Sequence, residues 1–160
     1  MPASALIRRA RPEDRAALAA LVAEADALHA RLQPGYFRVV AKGPSPEEWG
    51  KRLAAADQAV FVAELADGVV VGLAHVLIYD TPAVAMMVPK RRGHIDNVIV
   101  TERMRQQGLG RQLLAYAADF ARDAGARELL LTVWAGNDAG EQFYAALGFH
   151  HVSTVLGRDL

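Results

Sequence analysis

Arg105-Gln106-Gln107-Gly108-Leu109-Gly110 gathers two glycines, a guanidinium and two amide side chains into six residues, a combination suited to holding an anion. Glycine lets backbone approach a phosphate with no Cβ in the way, arginine offers a fixed fork of donors, and the glutamines add further N–H groups. The segment falls where a strand-like apolar run gives way to a helical pattern, and a helix N-terminus carries unpaired N–H groups worth about half a positive charge. Two familiar phosphate loops do not fit. A nucleotide P-loop needs Lys and then Ser or Thr after its last glycine, whereas Gly110 is followed by Arg111-Gln112. A dinucleotide fingerprint needs a third glycine three residues on, where Leu113 stands, and a place off the first strand. The chain has no cysteine, which removes disulfides, thiolate metal sites and a cysteine nucleophile together. His150-His151 lacks further ligands at metal spacing, so no metal is expected.

Around this turn the chain is ordinary in size and charge. Its 160 residues, 52% of them hydrophobic, can bury one core, and one domain over residues 1–160 is expected. The 18 basic residues balance the 18 acidic ones, so no overall field recruits nucleic acid or an anionic membrane, and charge selectivity must be local. No segment approaches the roughly 18 apolar residues of a membrane span, and the N-terminus has no apolar run of signal-peptide length. A soluble cytoplasmic protein is the expectation, with a homodimer left open.

The elements that must position the turn are legible from periodicity. Residues 5–10 read as a first strand, and Arg11-Pro12-Glu13-Asp14 supplies the proline and acids of a helix first turn. Leu18, Leu21, Val22, Ala25 and Leu28 fall at helical spacing up to Gln33-Pro34-Gly35. Ser45-Pro46-Glu47-Glu48 has the N-cap, N1 and N3 residues of a capping box, starting a helix through about Ala55. Two runs rich in Val, Ile and Phe, 59–65 and 69–78, flank Ala66-Asp67-Gly68 as a hairpin, and a strand resumes over 94–100. A helix over 108–124 stops at Gly125, a strand covers 128–134, a helix covers 138–147 before Gly148, and a last strand covers 149–156. The order implies an α/β fold: an antiparallel meander joined by one helical crossover to a further strand.

Ile95-Asp96-Asn97-Val98-Ile99-Val100, followed at fixed distance by Arg105-x-x-Gly108-x-Gly110, resembles the coenzyme A-binding motif of the GNAT superfamily of N-acetyltransferases. The later residues Asn137, Gly140, Phe143-Tyr144 and Leu147-Gly148-Phe149 resemble the second half of the same pattern. The recognisable part spans about residues 94–149. Three positions depart from it: Gln106 where Gly is frequent, Glu102 where Pro is frequent, and Gly140 where Ala is usual, at a cost to the helix of about 1 kcal/mol.

The resemblance implies a GNAT fold, with a mixed, mostly antiparallel sheet of six to seven strands flanked by about four helices. It implies acetyl-CoA as donor and a primary amine of a small molecule or peptide as acceptor, joined by direct attack in a ternary complex. Arg105, Gln106, Gln107, Gly108, Leu109, Gly110 and Arg111 would hold the pyrophosphate, and the backbone of Val98, Ile99 and Val100 would serve the pantetheine amides and the oxyanion. Asn137 would bond the pantetheine or support the strand end, and Tyr144 would protonate the leaving thiolate. Alternation along the strand turns Asp96 the same way as His94, Val98 and Val100, and Asp96 or His94 is the candidate base. His29, Tyr36 and Phe37, with His75 and Tyr79 on the third strand, are the candidate contacts for the acceptor. Lys90-Arg91-Arg92 would suit a 3'-phosphate or an acidic substrate. A non-catalytic acyl-CoA-binding module would keep the Gly108 turn and need neither Tyr144 nor a base.

Overall fold

The computed structural model describes residues 5–40 and 43–160. Five strands line up in chain order: β1 (Ala5–Arg9), β2 (Gln58–Leu65), β3 (Val70–Asp80), β4 (Arg91–Val100) and β5 (Glu128–Leu131). β1 to β4 are antiparallel neighbours, and β5 pairs parallel with β4. A parallel neighbour cannot be reached by a tight turn. The connection runs through α3 (Leu109–Asp123), the helix that opens on the glycine turn.

Helices cover both faces. On one, α3 seals a core of Ile7, Phe61, Val76, Ile95, Leu113 and Ala117, with Tyr144 and Leu147 from the α4 region (Asp138–Ala145) packed at its margin. On the other, α1 (Arg15–Leu32) and α2 (Pro46–Ala54) seal Leu18, Leu21, Trp49, Val62, Leu73 and Ile99. The start of α2 follows from its capping box: Ser45 Oγ accepts from Glu48 N at 3.2 Å and Ser45 N donates to Glu48 Oε2 at 2.6 Å.

The ladder shifts register between β2 and β3 at Ala63/Glu64 and again in β4. Val76 pairs with Ile95 but His75 pairs with Asn97, which leaves Asp96 as an extra residue, a bulge. Ile95, Val98 and Val100 therefore all meet the α3 core while Ile99 joins the opposite one. Asp96 faces away from Val98 and Val100, contrary to strict period two.

The C-terminal strand expected over 149–156 is absent. Gly148, at φ 88°, turns the chain after α4, Phe149 N bonds Tyr144 O at 3.1 Å, and the Phe149 ring packs on Tyr144. From there residues 150–160 are exposed, and the sheet has five strands rather than six to seven. β5 also ends earlier than residue 134. Trp134 is drawn out of line by Tyr36 and Phe37, and Gly136, at φ 84°, turns the chain toward α4.

Candidate active site

The α3 turn has the geometry of an anion cradle. Gln106 (φ 61°) and Gly108 (φ 81°) both adopt left-handed backbone, and the first backbone bond into the helix is Gln112 N to Gly108 O at 3.1 Å. The N–H groups of Leu109, Gly110 and Arg111 lie ahead of it with no intrahelical acceptor. A Cβ built on Gly108 meets nothing within 4 Å, whereas one on Gly110 would stand 3.3 Å from Phe143. Gly108 thus faces open space and Gly110 allows α4 to close on α3. The Leu109 side chain is core, leaving only its N–H for a ligand. Arg105 is committed elsewhere: Nε donates to Val100 O at 2.9 Å and Nη2 to Glu24 at 3.0 Å, and Glu24 also accepts from Glu102 N. It closes the turn rather than presenting a free fork. Arg111, exposed and in no ion pair among the described residues, is the cation that remains beside the N–H groups. Gln107 reaches the Met104 sulfur at 3.9 Å.

Next to this turn the sheet opens. β4 pairs with β5 only from Arg92↔Glu128 to Ile95↔Leu131, after which β5 stops and β4 runs on to Val100. Among the described residues, backbone over 96–99 is left without a neighbouring strand on that side, and Arg105 takes Val100 O, so that a gap remains into which an extended chain can lay its amides.

At the head of the gap stands Asp96, with 43% of its side chain exposed. Its Oδ2 lies 3.1 Å from His75 Nδ1 and 2.9 Å from Asn97 Nδ2. The bond from His75 first, opposed by burial and helped by the charges of His75, Arg52 and His94, holds this carboxyl below the usual range. Asp96 and Asn97 form one wall of an open cleft of about 440 Å³ between β4, α1 and α2, whose other polar lining is Asp26, Glu48 and Arg52. Periodicity overlooked these three. Asp26 lies one turn beyond Val22 on the sheet-facing side of α1, an acid in an apolar row, and that was its signal. Glu48 was read only as the N3 residue of the capping box, and Arg52 was not singled out.

Tyr144 lies across the sheet from that cleft, packed against Phe143 and Phe149. Burial pushes its phenol up, and its hydroxyl bonds to no other group among the described residues. Asn137 caps α4, its Oδ1 accepting from Gly140 N at 3.1 Å. A Cβ on Gly140 would fall 2.6 Å from Asn137 Nδ2, which explains glycine at that position: the cap lies flat on it.

A family model described as acetyltransferase (GNAT) family matches residues 25–149, from within α1 to the end of the α4 turn. The chain belongs to the GNAT acetyltransferase family. It is 36% identical over 107 residues to a streptothricin acetyltransferase of Streptomyces lavendulae, a match covering 67% of this chain and 52% of that one, so it spans about half that relative's length. Among solved structures, a variant of the BH1408 protein from Bacillus halodurans superposes with a TM-score of 0.92 at 20% identity, covering 97% of this chain and 99% of that one. An aminoglycoside antibiotic 6'-N-acetyltransferase from Acinetobacter baumannii superposes at 0.73 with 14% identity over 98% of each chain. These two likenesses speak for the fold.

The remaining positions sort by place in the GNAT sheet. His94 stands two residues before Asp96, opposite Leu77. His75 is 3% exposed and lies behind Asp96, with no surface to offer an acceptor. Tyr79 pairs with Arg92, four residues and about 13 Å along the strand from Asp96; the two do not meet. His29, Tyr36 and Phe37 do come together, with Trp134: His29 stacks on Phe37 at 5.2 Å between centroids, and Phe37 meets Trp134 edge-on at 4.7 Å. The basic run is spent internally, Arg91 on Asp80, and Lys90 and Arg92 on Glu128. No helix among the described residues is long and apolar enough to cross a membrane.

Proposed function

We propose that this protein is an acetyl-CoA-dependent N-acetyltransferase whose acceptor is a primary amine, on a small molecule or peptide, that bears at least one further positive charge. The observation that carries this reading is the run of β4 beyond Ile95: a stretch of strand that β5 no longer pairs leads from a carboxylate-lined cleft at Asp96 to an anion-binding turn at Gly108. The turn fits the pyrophosphate of coenzyme A, with N–H groups from Leu109 to Arg111 as donors, open space over Gly108 and Arg111 as nearby cation. When bound, acetyl-CoA supplies an acetyl group activated as a thioester.

The chain's own groups handle the protons. An alkylammonium has a pKa of about 10.4 and a carboxylic acid one of about 3.9, so direct transfer between them is uphill by about 9 kcal/mol, and the His75 bond makes Asp96 a weaker base still. Asp96 therefore holds and orients the amine, and takes its proton once attack has made the nitrogen acidic. Tyr144 faces a smaller step. A thiol has a pKa of about 8.5 and a phenol one of about 10, so donation from Tyr144 Oη to a leaving thiolate is uphill by only about 2 kcal/mol before its burial is counted. That phenol is protonated at neutral pH at its ordinary value of about 10, and burial pushes it further up.

The acceptor's charge follows from the cleft, whose lining carries three carboxylates, Asp26, Glu48 and Asp96, against one guanidinium, Arg52. Two net negative charges in a partly enclosed site draw cations and disfavour acids. Similarity to an enzyme named for streptothricin supports an antibiotic amine as the first compound to try. Thiol release from acetyl-CoA, followed across neutral, singly and multiply charged amines with streptothricin among them, tests the reading. Turnover should rise with acceptor charge; coenzyme A binding with no turnover on any amine would sink it.

A further inference from the structure

His75 is buried in the middle of β3, and the scheme above gives it no part beyond weakening Asp96 as a base. Both ring nitrogens are engaged, Nδ1 at 3.1 Å from Asp96 Oδ2 and Nε2 at 2.7 Å from Gln58 Oε1. An ionised carboxylate only accepts, so the proton shared with Asp96 belongs to Nδ1. Gln58 fixes the other edge of the ring. Its oxygen asks for a proton on Nε2, and its amide turned over would donate to a bare Nε2; Nδ1–H persists in both arrangements.

Asp96 needs such a partner because it is the bulge residue. Where β4 carries one residue more than β3, the regular ladder is interrupted, and the extra side chain must be fixed by other means. Oδ2 receives two bonds, from His75 and Asn97, while Oδ1 accepts none among the described residues. One oxygen is anchored and the other is left to the cleft.

We infer that His75 is a positioning residue for acetyl transfer: its buried Nδ1–H pins Oδ2 of Asp96 at the bulge, so that Oδ1 meets the acceptor amine. The role in transfer rests on the acetyltransferase reading; the pin itself does not, and the two are separable by experiment. His75→Leu removes both bonds, and His75→Asn restores an N–H near the place of Nδ1. His75→Leu should lower kcat by about 10²-fold, the scale of a small misplacement at a reacting group, while calorimetric affinity for coenzyme A changes by less than about two-fold, because the Gly108 turn lies elsewhere. His75→Asn should recover most of the loss, and His75→Leu added to Asp96→Asn should cost nothing more. Equal losses in the Leu and Asn variants, or additive losses with Asp96→Asn, would make His75 a packing residue and overturn the inference. Nitrogen NMR of the imidazole, recorded with no acetyl donor, provides the activity-free readout. Nδ1 should resonate as a protonated nitrogen and move toward the bare-nitrogen range in Asp96→Ala; an unmoved Nδ1 overturns the pin. A wild-type protein that binds no coenzyme A yet shows that movement would refute the acetyltransferase reading and leave the pin standing.

Discussion

Tyr144 and Asp96 have been moved in opposite directions by their surroundings, the phenol upward by burial and the carboxyl downward by an imidazole. At neutral pH the first keeps its proton and the second does without one, the division of labour that acyl transfer to an amine requires. Tyr144→Phe keeps the ring that packs on Phe143 and Phe149 and removes only the hydroxyl. It should lower kcat by about 100-fold or more and leave coenzyme A affinity nearly unchanged, as single-turnover rates and calorimetry can show; an unchanged rate would take Tyr144 out of the chemistry. Tyr144 could be found in the sequence because it sits in a spaced pattern running from Asn137 to Phe149. Glu48 and Arg52 could not, since they come from successive turns of one helix and meet Asp26 of another only across a cleft. His75 was visible as a residue but not as a partner: its bond to Asp96 depends on which residue of β4 stands opposite it, and that is set by the bulge.

Among the elements, α3 is where sequence and geometry agree most closely. The glycine turn, the apolar stripe and the stop at Gly125 were all written in local chemistry, and the helix runs Leu109–Asp123. Gly108 carries the turn at φ 81°, a conformation that costs a β-branched residue about 1–3 kcal/mol. Because a Cβ there meets no protein atom within 4 Å, Gly108→Val should fold with that modest loss in denaturant titration. Its methyl groups would fill the space above the free N–H groups, and coenzyme A binding should fall by far more than the stability loss accounts for. Retained tight binding would refute the turn as the phosphate site. The last strand was the least legible element. Valines and a leucine over residues 152–156 suggested it, but a strand needs a neighbour, and the nearby edge of the sheet, that of β5, is four residues long and ends before Trp134 turns away.

For the molecule as a whole, the sheet is closed at its far side by a charge cluster no periodicity announced. Arg8 on β1 donates to Asp14 Oδ2 and Oδ1 at 2.7 and 2.9 Å and also reaches Glu64 on β2, while Asp14 accepts from Arg11 N at 2.7 Å. Only 8% of Asp14 is exposed, so Asp14→Asn strands part of a desolvated guanidinium and should cost about 3 kcal/mol at pH 7. The bond from Arg8 first, against the opposing effect of burial, holds the Asp14 carboxyl below its ordinary range. Its stabilisation is therefore complete above the unfolded-state value, about pH 4, and drains away as pH falls through the lower folded-state value. Urea titrations of both proteins should show the gap between them narrowing below about pH 4; a gap that stays constant into strong acid would assign the loss to packing.

The extra residue in β4 works like a frame shift. Before it, odd-numbered positions such as Ile95 face α3; after it, even-numbered ones such as Val98 and Val100 do. A single strand is thereby read in two frames, and the switch falls on the residue through which this strand gives the cleft a carboxylate. Insertions or deletions of two residues near Asp96 would keep both frames intact, whereas a change of one would turn the half of the strand after it inside out, sending Ile99 toward α3 and both valines toward α1. The strand therefore constrains the parity of the residue count around position 96 as well as the side chain that stands there.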